Sequence, residues 1–364
     1  MNLEYRPDIE ETLERYRMWW NREDFGRCAI SIIVTKPSSP DNPPVKAPIE
    51  VKNRWTDFDY LQALYEQRLK NHVFIAETLP ICHLGNYPAW DWQPIFLGCP
   101  VTLDELTAWA RPIIEEGSLE DYDPNDIKID PDNEWWVLSQ KYHAFINELS
   151  KGKSMPWPPV LGGLGDMLGA LRTTNKLLYD IIDTPEAVKQ FEERLMTITL
   201  EVFEQFYNIH RDCCFGGSVN WLNMWAPGKT YMPQSDFSYM ISTKMFEDLF
   251  IEQLIHELDY LDYSLYHLDG IGSFRHVDLL CSLGNLNGIQ VLPGAGKPSP
   301  LHYIDVLKKV QAAGKNLQID IPPEDVAPAL ENLSSKGLFI RTWCKNEEDA
   351  NGLLKLVQNR SKFY

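Results

Sequence analysis

The chain has 364 residues, 44% of them hydrophobic and 24% charged, enough to build a sizeable core in one large α/β domain or two medium ones. Lys and Arg number 34 against 52 Asp and Glu, a formal charge of −18. That balance excludes a phosphate-tracking nucleic-acid binder and a binder of anionic membranes, since each needs a basic face.

The opening MNLEYRPDIEETLERY is charged and amphipathic, unlike a signal peptide, and no stretch is apolar for the ~18 residues of a membrane span. A cytoplasmic protein is expected. Seven cysteines with one adjacent pair, Cys213 and Cys214, do not read as a disulfide framework, so reduced thiols are expected.

Residues 7–21 read as a helix, with Asp8, Glu10 and Glu11 in an acidic first turn and Tyr16, Met18, Trp19 and Trp20 gathering apolar surface. The run CAISIIV at 28–34 is the pattern of a strand buried on both faces. Five prolines between 36 and 48 read as an ordered excursion, or lid, over one end of that strand. A second amphipathic helix at 58–72 leads to a short strand at 73–76.

Residues 80–100 have neither helical nor strand period. In this long loop Tyr87, Trp90 and Trp92, with His83 and Asp91, either wall a pocket or brace the packing. The acidic stretch 102–132 reads as solvated surface. After a helix at 135–149, PPVLGGLGDMLGA at 158–170 reads as a short strand opening through glycines into a helix. The free N–H groups there suit an anion or carboxylate, although the spacing is neither a P-loop nor a dinucleotide fingerprint. A long helix at 185–210 precedes a strand at 216–221. An irregular aromatic segment follows, containing Asn223, Trp225, Tyr231, Asp236 and Tyr239 just after Trp221. The next helix spans 243–260.

From residue 261 the alternation is regular. Strands at 263–267, 288–292, 317–321 and 338–342 are each followed by a helix, at 274–283, 303–313, 323–333 and 346–357. Strand–helix units with short loops point to a parallel sheet. The earlier strands near 28–34, 73–76, 158–162 and 216–221 bring the total to about eight, so the leading architecture is an α/β fold of the (β/α)8 TIM-barrel type. It forms a single domain over 1–364, with an N-terminal helical extension at 1–26 and long irregular loops. A doubly wound open sheet is the alternative.

In a barrel the C-terminal ends of the strands share one mouth, which gathers His267, Asp269, Gln290, Asp320, Thr342 and Cys344. His267, Asp269 and Cys344 offer the nitrogen, oxygen and sulfur donors that Zn²⁺ takes. Each also has a plainer reading: a structural histidine, a turn or capping residue before Gly270, and a small buried thiol. The position of Cys344 just before a helix favours thiolate.

The segment GGLGDMLGALR at 162–172, DFSYMIS at 236–242 ahead of a helix, and a strand ending in YHLDG resemble the uroporphyrinogen decarboxylase-like superfamily over nearly the whole chain. That family includes the decarboxylase of haem synthesis and cobalamin-dependent methyltransferases, which move methyl groups between a corrinoid protein and a thiol or folate. The methyltransferase branch carries His-x-Cys at the end of this strand and a further Cys near the last strand, together binding zinc that activates the acceptor. His267 matches the first ligand and Cys344 the last, while Asp269 stands where the middle Cys does, a harder donor that leaves the ion more electrophilic. The decarboxylase branch uses paired arginines after the first strand. Here that region reads CAISIIVTKPSSP, with Arg27 before it and only Lys36 after the strand, so the methyltransferase branch is the better match.

The resemblance implies a methyl-transferring enzyme with a small-molecule substrate, Zn²⁺ at His267, Asp269 and Cys344, and a corrinoid carried by a partner protein. Asp236, His267 and Asp269 are the expected catalytic residues. Trp90, Trp92, Trp221, Asn223, Trp225, Tyr239 and Gln290 are expected to shape the substrate side, where aromatic faces suit a methylated amine or betaine. A homodimer is the assembly carried with this reading. The alternatives are a cofactor-free decarboxylase or lyase, in which Asp236 or Asp269 stabilises a protonated intermediate, and a non-catalytic small-molecule-binding barrel.

Overall fold

The computed structural model of the chain describes residues 2–37, 39–83 and 92–364. Its central sheet has seven strands: β1 (Ala29–Thr35), β2 (His72–Ala76), β3 (Thr230–Tyr231), β4 (Tyr263–Asp269), β5 (Gly288–Leu292), β6 (Asn316–Asp320) and β7 (Leu338–Cys344). Their order across the sheet is β2-β1-β7-β6-β5-β4-β3, and every neighbouring pair is parallel except β1 with β2. The fold is therefore α/β with a mostly parallel sheet. The C-terminal half follows the expected alternation, ending in the helix Glu347–Arg360.

Two departures have local causes. β2 was expected to run with the other strands and instead runs back along β1. The helix Phe58–Asn71 returns the chain to the end of β1 it had left, where the Lys36 N–H donates to the Asn71 carbonyl at 2.7 Å and Thr35 registers with His72. From that point a strand can only reverse. The strands expected at 158–162 and 216–221 are mostly absent. Pro158 and Pro159 have no N–H for a ladder, and Val160 makes one isolated bridge with Trp92. At the second site Ser218–Val219 pairs with Trp225–Ala226 outside the main sheet. There the Asn220 side chain accepts from the N–H groups of Leu222 and Met224, each at 3.1 Å.

The helix expected at 243–260 is two helices, Thr243–Leu249 and Ile251–Tyr260, meeting at the buried Phe250. The long helix Pro185–His210 matches its expected bounds. Its Val188, Phe191, Leu195, Val202 and Phe206 recur at helical spacing and pack into the main core. Among the described residues no helix is long and apolar enough to cross a membrane. All seven cysteines are free thiols.

Successive side chains of a strand point to opposite faces, and here the two faces differ in chemistry. One face is a continuous apolar layer against the helices: Ile30, Ile32, Leu268, Ile289, Val291, Leu317, Ile319, Leu338 and Ile340 are all buried in the main core. The other face is apolar only where the strands begin. Ala29, Leu265 and Phe339 pack there against Leu13, Tyr16, Trp19 and Trp20 of the N-terminal helix Ile9–Trp20, which closes that end as a floor. Above the floor this second face turns polar.

Candidate active site

The polar layer follows from register. His267 sits opposite Gln290, Gln290 opposite Gln318, and Asp320 opposite Arg341, which in turn lies opposite Ser31. Parallel neighbours in register share a face, so this row of polar groups lies together on the side away from the helices. Asp320 ends its strand and His267 lies two residues before the end of β4, which Asp269 closes, so these groups stand at the C-terminal ends where α/β folds present chemistry. Gln290, Gln318, Arg341 and Ser31 lie nearer mid-strand.

At one end of the row, Asp236, His267 and Asp269 each offer a ligand atom within 4.8 Å of the others. His267 Nε2 is 4.0 Å from Asp269 Oδ2, and His267 Nδ1 is hydrogen-bonded to the side-chain oxygen of Gln290. The indole of Trp221 stands edge-on to the imidazole, with ring centroids 4.8 Å apart. The His267 N–H donates to the Pro233 carbonyl at 2.9 Å, tying β4 to the segment that carries Asp236. Asp269 Oδ1 is buried without a hydrogen-bond partner among the described residues. Asp236 lies at the exposed lip of the site. Burial of its carboxyl on the protein side raises its pKa; the charge of His267 opposes that rise and the charge of Asp269 adds to it.

Asp236 is held in place by Asp166. The Asp166 carboxylate accepts from the N–H groups of Asp236 at 3.0 Å and Phe237 at 2.7 Å, while Leu164 N–H donates to the Gln234 carbonyl at 2.9 Å. This close approach explains the glycines before the helix Asp166–Arg172. A Cβ on Gly163 would lie 2.3 Å from Asp166 Oδ2 and 2.7 Å from the Gln234 carbonyl oxygen. The N–H groups here suggest an external anion, and a side chain of the protein takes that place: Gly165 N lies 3.1 Å from one carboxyl oxygen of Glu192 and 3.2 Å from the other. Burial pushes the Asp166 carboxyl up to about 7, with the Asp236 charge adding to it, and Glu192 up to about 8.

Beside the cluster lies a cavity of about 470 Å³, lined in part by Arg68, His83, Trp157, Trp221, Asn223 and Arg341. Trp221 belongs to both the cavity wall and the surroundings of His267.

Several expectations about individual residues change. Cys344 is not in the ligand group. The period of β7 puts it on the helix-facing side with Ile340 and Thr342, opposite to Arg341, and it packs at the edge of the main core. Burial raises its thiol, and the Asp349 charge adds to that, so the thiolate expected from the following helix is disfavoured. Trp225 is a floor residue, fully buried, its indole N–H donating to the Cys214 carbonyl at 2.7 Å. Trp92 packs partly buried in a separate cluster with Trp55 and Tyr142. Tyr239 is 46% exposed and lies over Gly270 and Gly272 in the turn after Asp269, where a Cβ on either glycine would come within 3.0 Å of its ring. Gln290 and Asn223 fall at the site, and Trp90 lies outside the described residues.

Sequence reasoning missed Arg68, Arg341 and the supporting role of Asp166. A signal existed for Arg341, an arginine within the otherwise apolar strand LFIRTWC. Arg68 had none, being one cation on an amphipathic helix.

No model of a known protein family matches the chain, and no curated protein matches it.

Proposed function

We propose that the protein is a methyl-transferring enzyme in which Asp236, His267 and Asp269 hold a divalent cation, with Zn²⁺ the first choice. The observation that carries this reading is the convergence of three ligand atoms within 4.8 Å, one of them on a carboxylate whose other oxygen is buried and unpartnered. An imidazole and two carboxylates suit Zn²⁺, and the loss of sulfur makes the set harder than the one expected from sequence. Such an ion, when bound, lowers the pKa of a coordinated nucleophile and so supplies the attacking anion at neutral pH.

The chain's own residues do the rest. Gln290 fixes the His267 ring, Asp166 fixes the turn bearing Asp236, and Trp221 excludes water from one side of the imidazole. The resemblance of segments 162–172, 236–242 and 267–270 to corrinoid-dependent methyltransferases supports methyl transfer as the reaction, with a corrinoid protein as partner. On this reading the sheet is the larger part of a (β/α)8 barrel in one domain, and the enzyme is a cytoplasmic homodimer.

A second reading, a cofactor-free decarboxylase, is favoured by one observation. The guanidinium groups missing from the N-terminal segment are present in the cavity as Arg68 and Arg341.

Metal analysis of protein purified without chelator tests the first reading. About one divalent ion per chain is expected, lost in His267→Ala and Asp236→Ala. Incubation of the loaded protein with methylcobalamin and a thiol is expected to demethylate the cobalamin, read from its absorption spectrum. Wild-type protein with neither metal nor demethylation overturns the reading and leaves decarboxylation of a bound acid to be assayed.

A further inference from the structure

The cavity next to the cluster has the size of a small-ligand site. Arg68 and Arg341 both line it, and among the described residues no Asp or Glu does. In a chain of charge −18 this is a local reversal of sign. The two arginines are not equivalent. Arg341 is ion-paired with Asp320, which also accepts from Gln318 Nε2 at 2.7 Å, so that pair is close to neutral. Arg68 meets no acidic side chain among the described residues. Its Nη1 lies 2.8 Å from His83 Nδ1 and donates to the His83 carbonyl at 3.2 Å. One uncompensated positive charge therefore remains in a partly buried wall, a costly arrangement that an anionic ligand relieves.

The other lining groups describe the rest of that ligand. Trp157 is 6% exposed, and its indole N–H is buried with no hydrogen-bond partner among the described residues, so the residue meets the cavity with its ring and not with that donor. Trp157, Trp221 and Phe74 present flat apolar surface. Trp221 also abuts His267, so the body of a ligand seated here shares a wall with the catalytic cluster.

The geometry points to a pocket for a monocarboxylate with a flat apolar body, anchored by Arg68, with Arg341 as a further donor. An aromatic monocarboxylate is the simplest member of that class. A single negative charge is chosen because, among the described residues, Arg341 has an acidic partner and Arg68 has none. The inference names the substrate class of the enzyme proposed above and rests on the reading that this cavity serves the cluster.

The test is calorimetric titration of benzoate, with neutral benzamide as its counterpart, into the full chain after metal has been stripped with chelator. Benzoate is expected to bind at least about tenfold more tightly than benzamide, and Arg68→Gln to lose about tenfold or more of the benzoate affinity with benzamide unchanged. Arg68→Lys keeps the charge without the planar fork and is expected to lie between the two. If Arg68→Gln does not fold, Arg68→Lys and the ratio of the two probes decide. Equal affinity for the two probes, no benzoate binding at millimolar concentration, or a folded Arg68 variant with unchanged benzoate affinity overturns the inference. Because the protein is metal-free, failure of the metal reading leaves this result standing. A chain that binds metal but not benzoate overturns only the inference about the substrate.

Discussion

His267 Nδ1 meets the side-chain oxygen of Gln290 one strand away, which leaves Nε2 facing Asp269 across 4.0 Å. An amide oxygen only accepts, so Nδ1 donates to it and Nε2 is the nitrogen turned toward the carboxylates. This is the arrangement of a metal-binding histidine oriented by an outer partner. Gln290→Leu is accordingly expected to weaken metal binding by about 10–100-fold while leaving the sheet intact. Competition against a chromophoric chelator, with a thermal melt as the folding control, measures both.

The position of Cys344 separates the ligand set found in the structure from the one expected from sequence. Cys344→Ala is expected to retain its metal, whereas Asp236→Ala and His267→Ala lose it. Bound metal also stabilises the fold: at a free concentration a hundredfold above Kd the gain is about 2.7 kcal/mol. The wild type and Cys344→Ala should therefore melt higher with added metal, and the other two variants should not.

Glu77 is fully buried and accepts from Arg15 Nε at 2.7 Å, from Arg27 at 2.7 and 2.8 Å, and from the Ile30 N–H at 2.7 Å. Burial alone would raise its pKa; the bonds and charges of Arg27 and Arg15 outweigh that and lower it. Removing the carboxylate strands the buried Arg27 guanidinium, so Glu77→Ala is expected to cost about 3–5 kcal/mol in urea unfolding. In the wild type this contribution is present above the ordinary carboxylate pKa and is lost as pH falls below it.

Glu192 and Glu257 act in the opposite direction. Burial lifts both carboxyls to about 8 in the folded protein, against an ordinary value of 4.5. Between those values the folded state holds protons that the unfolded state has released, so stability falls as pH rises through the window. The melting temperature is expected to decline from pH 5 toward pH 8, and Glu192→Gln or Glu257→Gln to flatten that decline. A slope unchanged in both variants would contradict this assignment.

Much of the architecture was legible because apolar runs in the C-terminal half are bounded by short loops: β5 has the bounds read from GIQVL, and β4 extends its run by two residues to Asp269. The first half was harder, since Pro158 and Pro159 interrupt an apolar stretch that otherwise looks like a strand, and the direction of β2 depends on a contact between Lys36 and Asn71 that no period encodes. At the site, His267 and Asp269 could be read from the end of one strand. Cys344 could have been rejected by counting in twos from Arg341. Asp236 was named for catalysis, but its nearness to His267 comes from a loop held by Asp166, 70 residues earlier in the chain.

The division of the sheet into an apolar face and a polar face also determines which changes the protein can absorb over evolutionary time. Substitutions at Ile33, Phe74 or Arg341, strand residues that line the cavity, alter what a ligand meets, yet they leave the layer of Ile, Leu and Val against the helices untouched. A lineage could thus exchange one small molecule for another through a handful of alternate strand positions while its folding stays constant. A randomised library confined to those positions would sample new specificities with few unfolded members.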